Sequence, residues 1–275
     1  MQTRIFIIVV ILNIFLISWV GLISNVKAAD GFTVQQVVFT TGCTFGFREY
    51  ALRPNNIFKL NESMCLYIEP LNCKIYRTGA TYSAKLTASA VIESLTKPGI
   101  SQAIELGELK FVLPQKDTEL YADLTLNGVG DLPVDLYKIT ITLIDTKTQK
   151  KTIFLKRFRV GHSYIKAEMG LQKSSSMGNG KNSMVIFKRT TPTIYCNYRI
   201  RRIFATSTLK SVLIAEMVPG IKIGTVFNTY STNIGQNQSG CIEIKPTGST
   251  WDPGNYRLEM SINGTYEHAL QFRIE

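Results

Sequence analysis

The chain contains only two histidines, His162 and His268, so imidazole catalysis or metal ligation would have to pass through one of them. His268 falls in an alternating apolar run near the end of the chain, where a hydrogen-bonded core histidine is the expected state. Five cysteines are present, Cys43, Cys65, Cys73, Cys196 and Cys241, and none belongs to a Cys-x-x-Cys pair. That spacing excludes the usual zinc and dithiol motifs. The sequence has no Gly-x-Ser-x-Gly elbow and no phosphate-binding loop, and Gly178-x-Gly180 is too short to form one. Paired acids are the remaining route to catalysis, through glycoside chemistry. Glu62 with Glu69 and Glu105 with Glu108 are the candidates by closeness in sequence, but acids on a β-sheet surface are mostly solubilising. The expectation is a protein that is not an enzyme and uses no cofactor and no metal.

Other residue types point to binding or to covalent support. Cys196 and Cys241 share the C-terminal half with no competing cysteine, which favours a disulfide between them. Against it stands the phase of the strand around Cys241, where Ile242 and Ile244 take the buried positions. Cys65 and Cys73 flank Pro70 and are a second candidate bridge, and the odd count leaves one thiol over. Basic side chains gather in two places, at Arg199, Arg201 and Arg202, and at Lys150, Lys151 and Arg157. They are either solvated outer faces that guard strand edges or an anion-facing patch. Tyr76, Tyr82, Tyr195, Tyr230 and Trp251 are candidate platforms for carbohydrate. Asn61, Asn237 and Asn263 each open an Asn-x-Ser/Thr triplet.

The elements that would position these residues are strands. Asp252-Pro253-Gly254-Asn255 is a turn signal. Tyr256, Leu258, Met260 and Ile262 then alternate with Arg257, Glu259 and Ser261. Asn263-Gly264 suits a two-residue type I′ turn. The return strand places Tyr266, His268, Leu270, Phe272 and Ile274 on one face. An earlier hairpin echoes this one: Pro133 precedes Tyr137 to Leu143, and the return closes on Phe158-Arg159-Val160. Ile57-Phe58-Lys59 and Ile186-Phe187-Lys188 echo each other in the same way. Further strands are expected over 32–41, 64–69, 81–94, 105–113, 120–126, 164–171, 193–204, 211–217, 221–228 and 241–245. Pro54-Asn55-Asn56 reads as a turn. No segment carries a helical period, so the expected fold is all-β, with two sandwiches in tandem over residues 29–160 and 161–275.

Residues 1–28 read as a secretory signal peptide, with a basic start, an apolar run from Ile5 to Ser24 and a Val-Lys-Ala site. The run is also long enough to be an uncleaved anchor. Either way the remainder is expected to be periplasmic or extracellular. Losing Arg4 and Lys27 lowers the net charge of +11 by two, to +9, and that charge favours an acidic partner.

Asp252-Pro253-Gly254-x-Tyr256 and Pro133-x-x-x-Tyr137 resemble the turn and tyrosine that open a late strand in immunoglobulin-like and fibronectin type III-like modules of secreted microbial proteins. The resemblance implies a tyrosine hydroxyl that ties back its own corner, with Pro253, Gly254, Tyr256 and Tyr137 as structural residues. It implies a fold and no single activity. The expected role is non-enzymatic presentation of loops or an edge strand to a protein or an anionic polysaccharide. Nucleic acid is not expected as a partner, and membrane contact is expected only through an uncleaved anchor. A periplasmic assembly chaperone, similar in outline to pilus chaperones, and a carbohydrate-binding module are the rival expectations.

Overall fold

The computed structural model describes residues 31–116, 118–174, 183–201, 206–235 and 237–275. The export segment and Arg202 therefore lie outside the described residues. Among the described residues all regular structure is strand apart from one short 3-10 turn. The chain forms two compact units, one of residues up to Ala51 with Leu60–Arg157, the other of Leu52–Lys59 with Phe158–Glu275. A plain cut at Gly161 would miss the transfer of Leu52–Lys59 to the second unit.

In the first unit, β1 (Thr33–Thr40), β3 (Met64–Leu71) and β7 (Ala122–Leu126) form one sheet in the order β1-β3-β7. The facing sheet contains β4 (Tyr76–Thr78), β5 (Thr81–Ser94), β6 (Ser101–Leu113), β8 (Asp135–Asp145) and β9 (Lys151–Val160). Its order is β9-β8-β5-β4, with β6 also on β5, and β2 (Ile57–Phe58) pairs with the last residues of β9. Alternation explains the packing. Leu66 and Ile68 of β3, Leu86 and Ile92 of β5, and Ile139, Ile141 and Leu143 of β8 are all buried, while the residues between them on β5 and β8 are more exposed.

The second unit repeats this plan. A sheet of β10 (Ile165–Gly170), β12 (Ile194–Ile200) and β15 (Ser239–Ile244) faces one of β11 (Ile186–Phe187), β17 (Thr265–Ile274), β16 (Gly254–Ile262), β13 (Ser207–Met217) and β14 (Val226–Ile234), each in the order named. Ile57 and Phe58 lie parallel to Arg159 and Val160, as Ile186 and Phe187 lie parallel to Arg273 and Ile274. Each phenylalanine meets a second one edge-on: the Phe58 and Phe158 centroids are 5.8 Å apart, as are those of Phe187 and Phe272. The paired sheets and the shared connection order are an immunoglobulin-like β-sandwich arrangement.

Two tyrosine corners fix the plan. Tyr137 donates its hydroxyl to the Pro133 carbonyl at 2.7 Å and Tyr256 to the Asp252 carbonyl at 2.8 Å, each four residues back. Burial raises the Tyr256 phenol, and pushes Tyr137 up to about 12, so both hold their protons. Only the second corner uses glycine. Gly254 has φ +145°, and a Cβ there would lie 2.1 Å from the Met217 carbonyl oxygen. Tyr137→Phe and Tyr256→Phe should each lower stability by about 1 kcal/mol, the net worth of one hydrogen bond. Unchanged denaturant midpoints in both variants would show that the corners contribute nothing.

The final hairpin closes through Asn263 and Gly264, with φ of 50° and 80° as a type I′ turn requires. Pro54-Asn55-Asn56 is not a turn. Asn55 bridges Leu270 in antiparallel sense, Gln271 donates its amide N–H to the Pro54 carbonyl at 3.1 Å, and Asn56 Oδ1 accepts from the Ala269 amide at 2.9 Å. The segment thus covers part of the edge of β17.

Candidate functional site

The acids singled out by sequence proximity do not face one another across a site. Glu69 is buried at 1% exposure. Its carboxylate accepts from Arg48 Nε and Nη2, both at 3.2 Å, and from the Tyr67 hydroxyl at 2.9 Å. Glu62 is in the turn before β3. Glu108 is ion-paired with Lys85 at 2.7 Å and Lys110 at 3.3 Å, and Glu105 is exposed beyond a bulge opposite Ala88 and Ser89.

Glu69 belongs to a polar cluster that sequence reasoning missed. Register places Gln36 opposite Glu69, and Val38 and Asp123 opposite Tyr67, on the face of β1-β3-β7 turned away from the core. Residues 41–51 supply its partners. Gln36 bonds the Tyr50 hydroxyl, Tyr50 and Tyr67 have ring centroids 4.4 Å apart, and Asp123 accepts from the Thr44 amide and hydroxyl at 3.1 and 2.6 Å. Burial raises the Asp123 carboxyl, with the Thr44 bonds pulling the other way. The cluster anchors that loop, leaving Phe45 84% exposed.

No two of the five cysteines are joined in a disulfide. Cys196 pairs in register with Ile242 while Cys241 pairs with Asn197, so the two thiols point to opposite faces of one sheet. Burial drives the Cys196 thiol far above its ordinary value. Cys65 is near the start of β3 and Cys73 lies past its end. Extended chain between them spans roughly 20 Å, far beyond disulfide reach. Pro70 is inside β3, opposite Val34, and makes no turn.

Arg199 and Arg201 are exposed in the second unit, Arg199 beside Lys166 and Ser239 by register. Lys150, Lys151 and Arg157 are exposed in the first. The aromatic candidates are engaged in packing. Trp251 is 3% exposed, donates Nε1–H to the Thr191 carbonyl at 2.9 Å and stands edge-on to Tyr256, so it is not a sugar platform. Tyr76 lies under the Lys147 ammonium at 4.7 Å, Tyr82 packs on Ala84, Leu113 and Leu120, and Tyr230 packs against the second core. Tyr195 is half-buried on β12. His268 is a core histidine, 2% exposed, but neither ring nitrogen has a hydrogen-bond partner. His162 is exposed. Among the described residues no three metal-ligating side chains converge, and no helix is long and apolar enough to cross a membrane.

What the second unit does offer is an open edge. β14 ends its sheet, and all nine of its residues (Val226–Ile234) are uncharged, without proline, most of them exposed. Alternate residues of an antiparallel strand bond to opposite neighbours. The Asn263 amide bonds the Thr208 carbonyl at 2.9 Å, on the β16 side. Leu209, Ser211 and Leu213 therefore bond β14 at Thr232, Tyr230 and Asn228. The main-chain groups of Thr229, Ser231 and Asn233 point outward. Asn228 Oδ1 takes the Thr229 amide at 2.8 Å and Thr232 Oγ1 reaches the Asn233 carbonyl at 3.4 Å, and exposed Ser231 meets no strand on its outer side among the described residues.

Beside this edge is a shallow depression lined by Leu213, Phe227, Trp251 and Tyr256 together with Asn228 and Lys245. The corresponding edge of the first unit is guarded. β6 carries Glu105, Glu108 and Lys110 and a bulge at Gly107, with φ 83°. β1, another uncharged edge, is mostly buried and irregular between Val34 and Gln36.

No family model matches the chain, and no curated protein matches it. Among solved structures it is similar to a Salmonella alpha-2-macroglobulin reacted with methylamine, at 7% identity and a TM-score of 0.30, covering 87% of this chain and 17% of that one. A red sea bream transglutaminase is similar at 9% identity and a TM-score of 0.29, covering 90% of this chain and 32% of that one. The chain spans less than a third of either protein's length.

Proposed function

We propose that the chain is an exported, non-enzymatic binding protein that engages an extended segment of a partner protein by strand addition at β14. The observation that carries this reading is the edge itself: β14 has no charge and no proline along it, and among the described residues no strand pairs with its outer side at Ser231. Main-chain pairing would supply the affinity.

Peptides from a displayed random library should be captured by the immobilised protein, and Ser231→Pro should abolish capture. That substitution deletes one outward N–H and leaves the β13 ladder intact. Capture indifferent to Ser231→Pro, or steady hydrolase turnover lost on changing a single carboxylate, would sink the reading.

A further inference from the structure

We propose that the β14 edge also pairs with a second copy of this chain, as an antiparallel two-fold joint that continues the β11-β17-β16-β13-β14 sheet into its partner. The inference rests on reading β14 as an open pairing edge, and it adds the identity of one occupant. Self-pairing sets a strand against its own sequence, so any charge it carried would face or flank a like charge near the axis. β14 carries none. β6, with Glu105, Glu108 and Lys110 over the equivalent edge, would bring like charges together.

The register follows from which groups point outward. A two-fold axis at Ser231 puts Ser231 opposite Ser231 and Thr229 opposite Asn233, the residues whose main-chain groups face away from β13. The flanking positions then pair Tyr230 with Thr232 and Asn228 with Ile234. Hydroxyl and amide side chains from the two copies meet across the joint, and such pairs stabilise neighbouring strands. The joint is isologous and closes on itself, so it stops at a dimer. It is also small, and each chain is strongly basic, +11 in full and +9 without residues 1–28. Association should therefore be weak at low ionic strength and tighten as salt screens the repulsion.

Sedimentation equilibrium of the purified chain between about 1 and about 500 micromolar should show a monomer–dimer transition, the range expected of a small interface. A peptide with the sequence of Val226–Ile234 should compete with it. Ser231→Lys and Ser231→Glu should each give monomers, since each sets like charges opposite at the axis. Mixing the two should restore a dimer containing one chain of each. A chain monomeric throughout this range, or Ser231→Lys and Ser231→Glu variants that dimerise alone as well as the original, would overturn the proposal. A monomeric chain that still captures library peptides through Ser231 would overturn self-pairing alone and leave the partner-binding role standing.

Discussion

Arg159→Met is expected to destabilise the second unit by about 3–5 kcal/mol, the cost of leaving one member of a buried ion pair without the other. Arg159 Nη2 lies 3.0 Å from Glu267 Oε2, with the two side chains only 11% and 6% exposed. The guanidinium also donates from Nε to the Glu267 carbonyl at 3.3 Å and from Nη2 to the Tyr266 carbonyl at 3.4 Å. Burial already raises the Glu267 carboxyl, and Arg159 is the main influence holding it down, aided by the Tyr164 amide. Without the arginine the carboxyl rises further.

The sign of the pH dependence follows. A carboxyl with a raised folded-state pKa costs stability once ionised, so the Arg159→Met defect should be greatest at neutral pH and shrink as acid protonates Glu267. Glu267→Gln in the same chain should recover much of the loss. Urea denaturation of the two variants against the original, at pH 5 and pH 8, measures both effects. A loss under about 1 kcal/mol at pH 8 would mean that the pair is solvated and not buried.

Arg159 and Glu267 also show what the sequence could and could not reveal. Phe158-Arg159-Val160 was legible as the end of a hairpin, because alternation and turn chemistry are local. The ion pair was not, since its partners are separated by over a hundred residues and nothing in either strand's period announces it. The polar cluster was hidden in the same way: Arg48 and Glu69 are 21 residues apart, and Thr44 and Asp123 are 79.

Closeness in sequence misled in the opposite direction for the cysteines. Cys65 and Cys73 are near neighbours along the chain, yet an extended strand carries them apart, and a one-residue offset in register turns Cys196 and Cys241 to opposite faces. β14, expected at 221–228, runs from Val226 to Ile234, and with most of its residues exposed its sequence carries no regular buried period to read. The corners at Tyr137 and Tyr256 were legible because a proline-containing turn and a tyrosine at fixed spacing specify them within five residues. Leu52–Lys59 could not be assigned to its unit from sequence, since its cover of β17 depends on residues more than two hundred positions away.

Between pH 6.5 and pH 4 the second unit should lose about 3 kcal/mol of stability through His268. The imidazole is enclosed in the core, and neither nitrogen has a partner to offset the cost of charging it. Burial, with the nearby Arg159 cation acting in the same sense, lowers it from 6.5 to about 4. The unfolded chain takes up a proton near pH 6.5 while the folded one does not until near pH 4. Unfolding therefore binds protons in that window, and stability falls as acid is added. Glu267 works against this, because its raised carboxyl favours the folded state on protonation. His268→Leu, of similar volume, separates the two. It should be close to neutral at pH 7.5, or slightly stabilising, since it removes two unsatisfied polar atoms. At pH 4 it should be more stable than the original by about 3 kcal/mol. Thermal or urea unfolding across pH 4 to 8 tests this directly, and parallel stability curves for His268→Leu and the original chain would show that the imidazole finds a proton acceptor in the folded state.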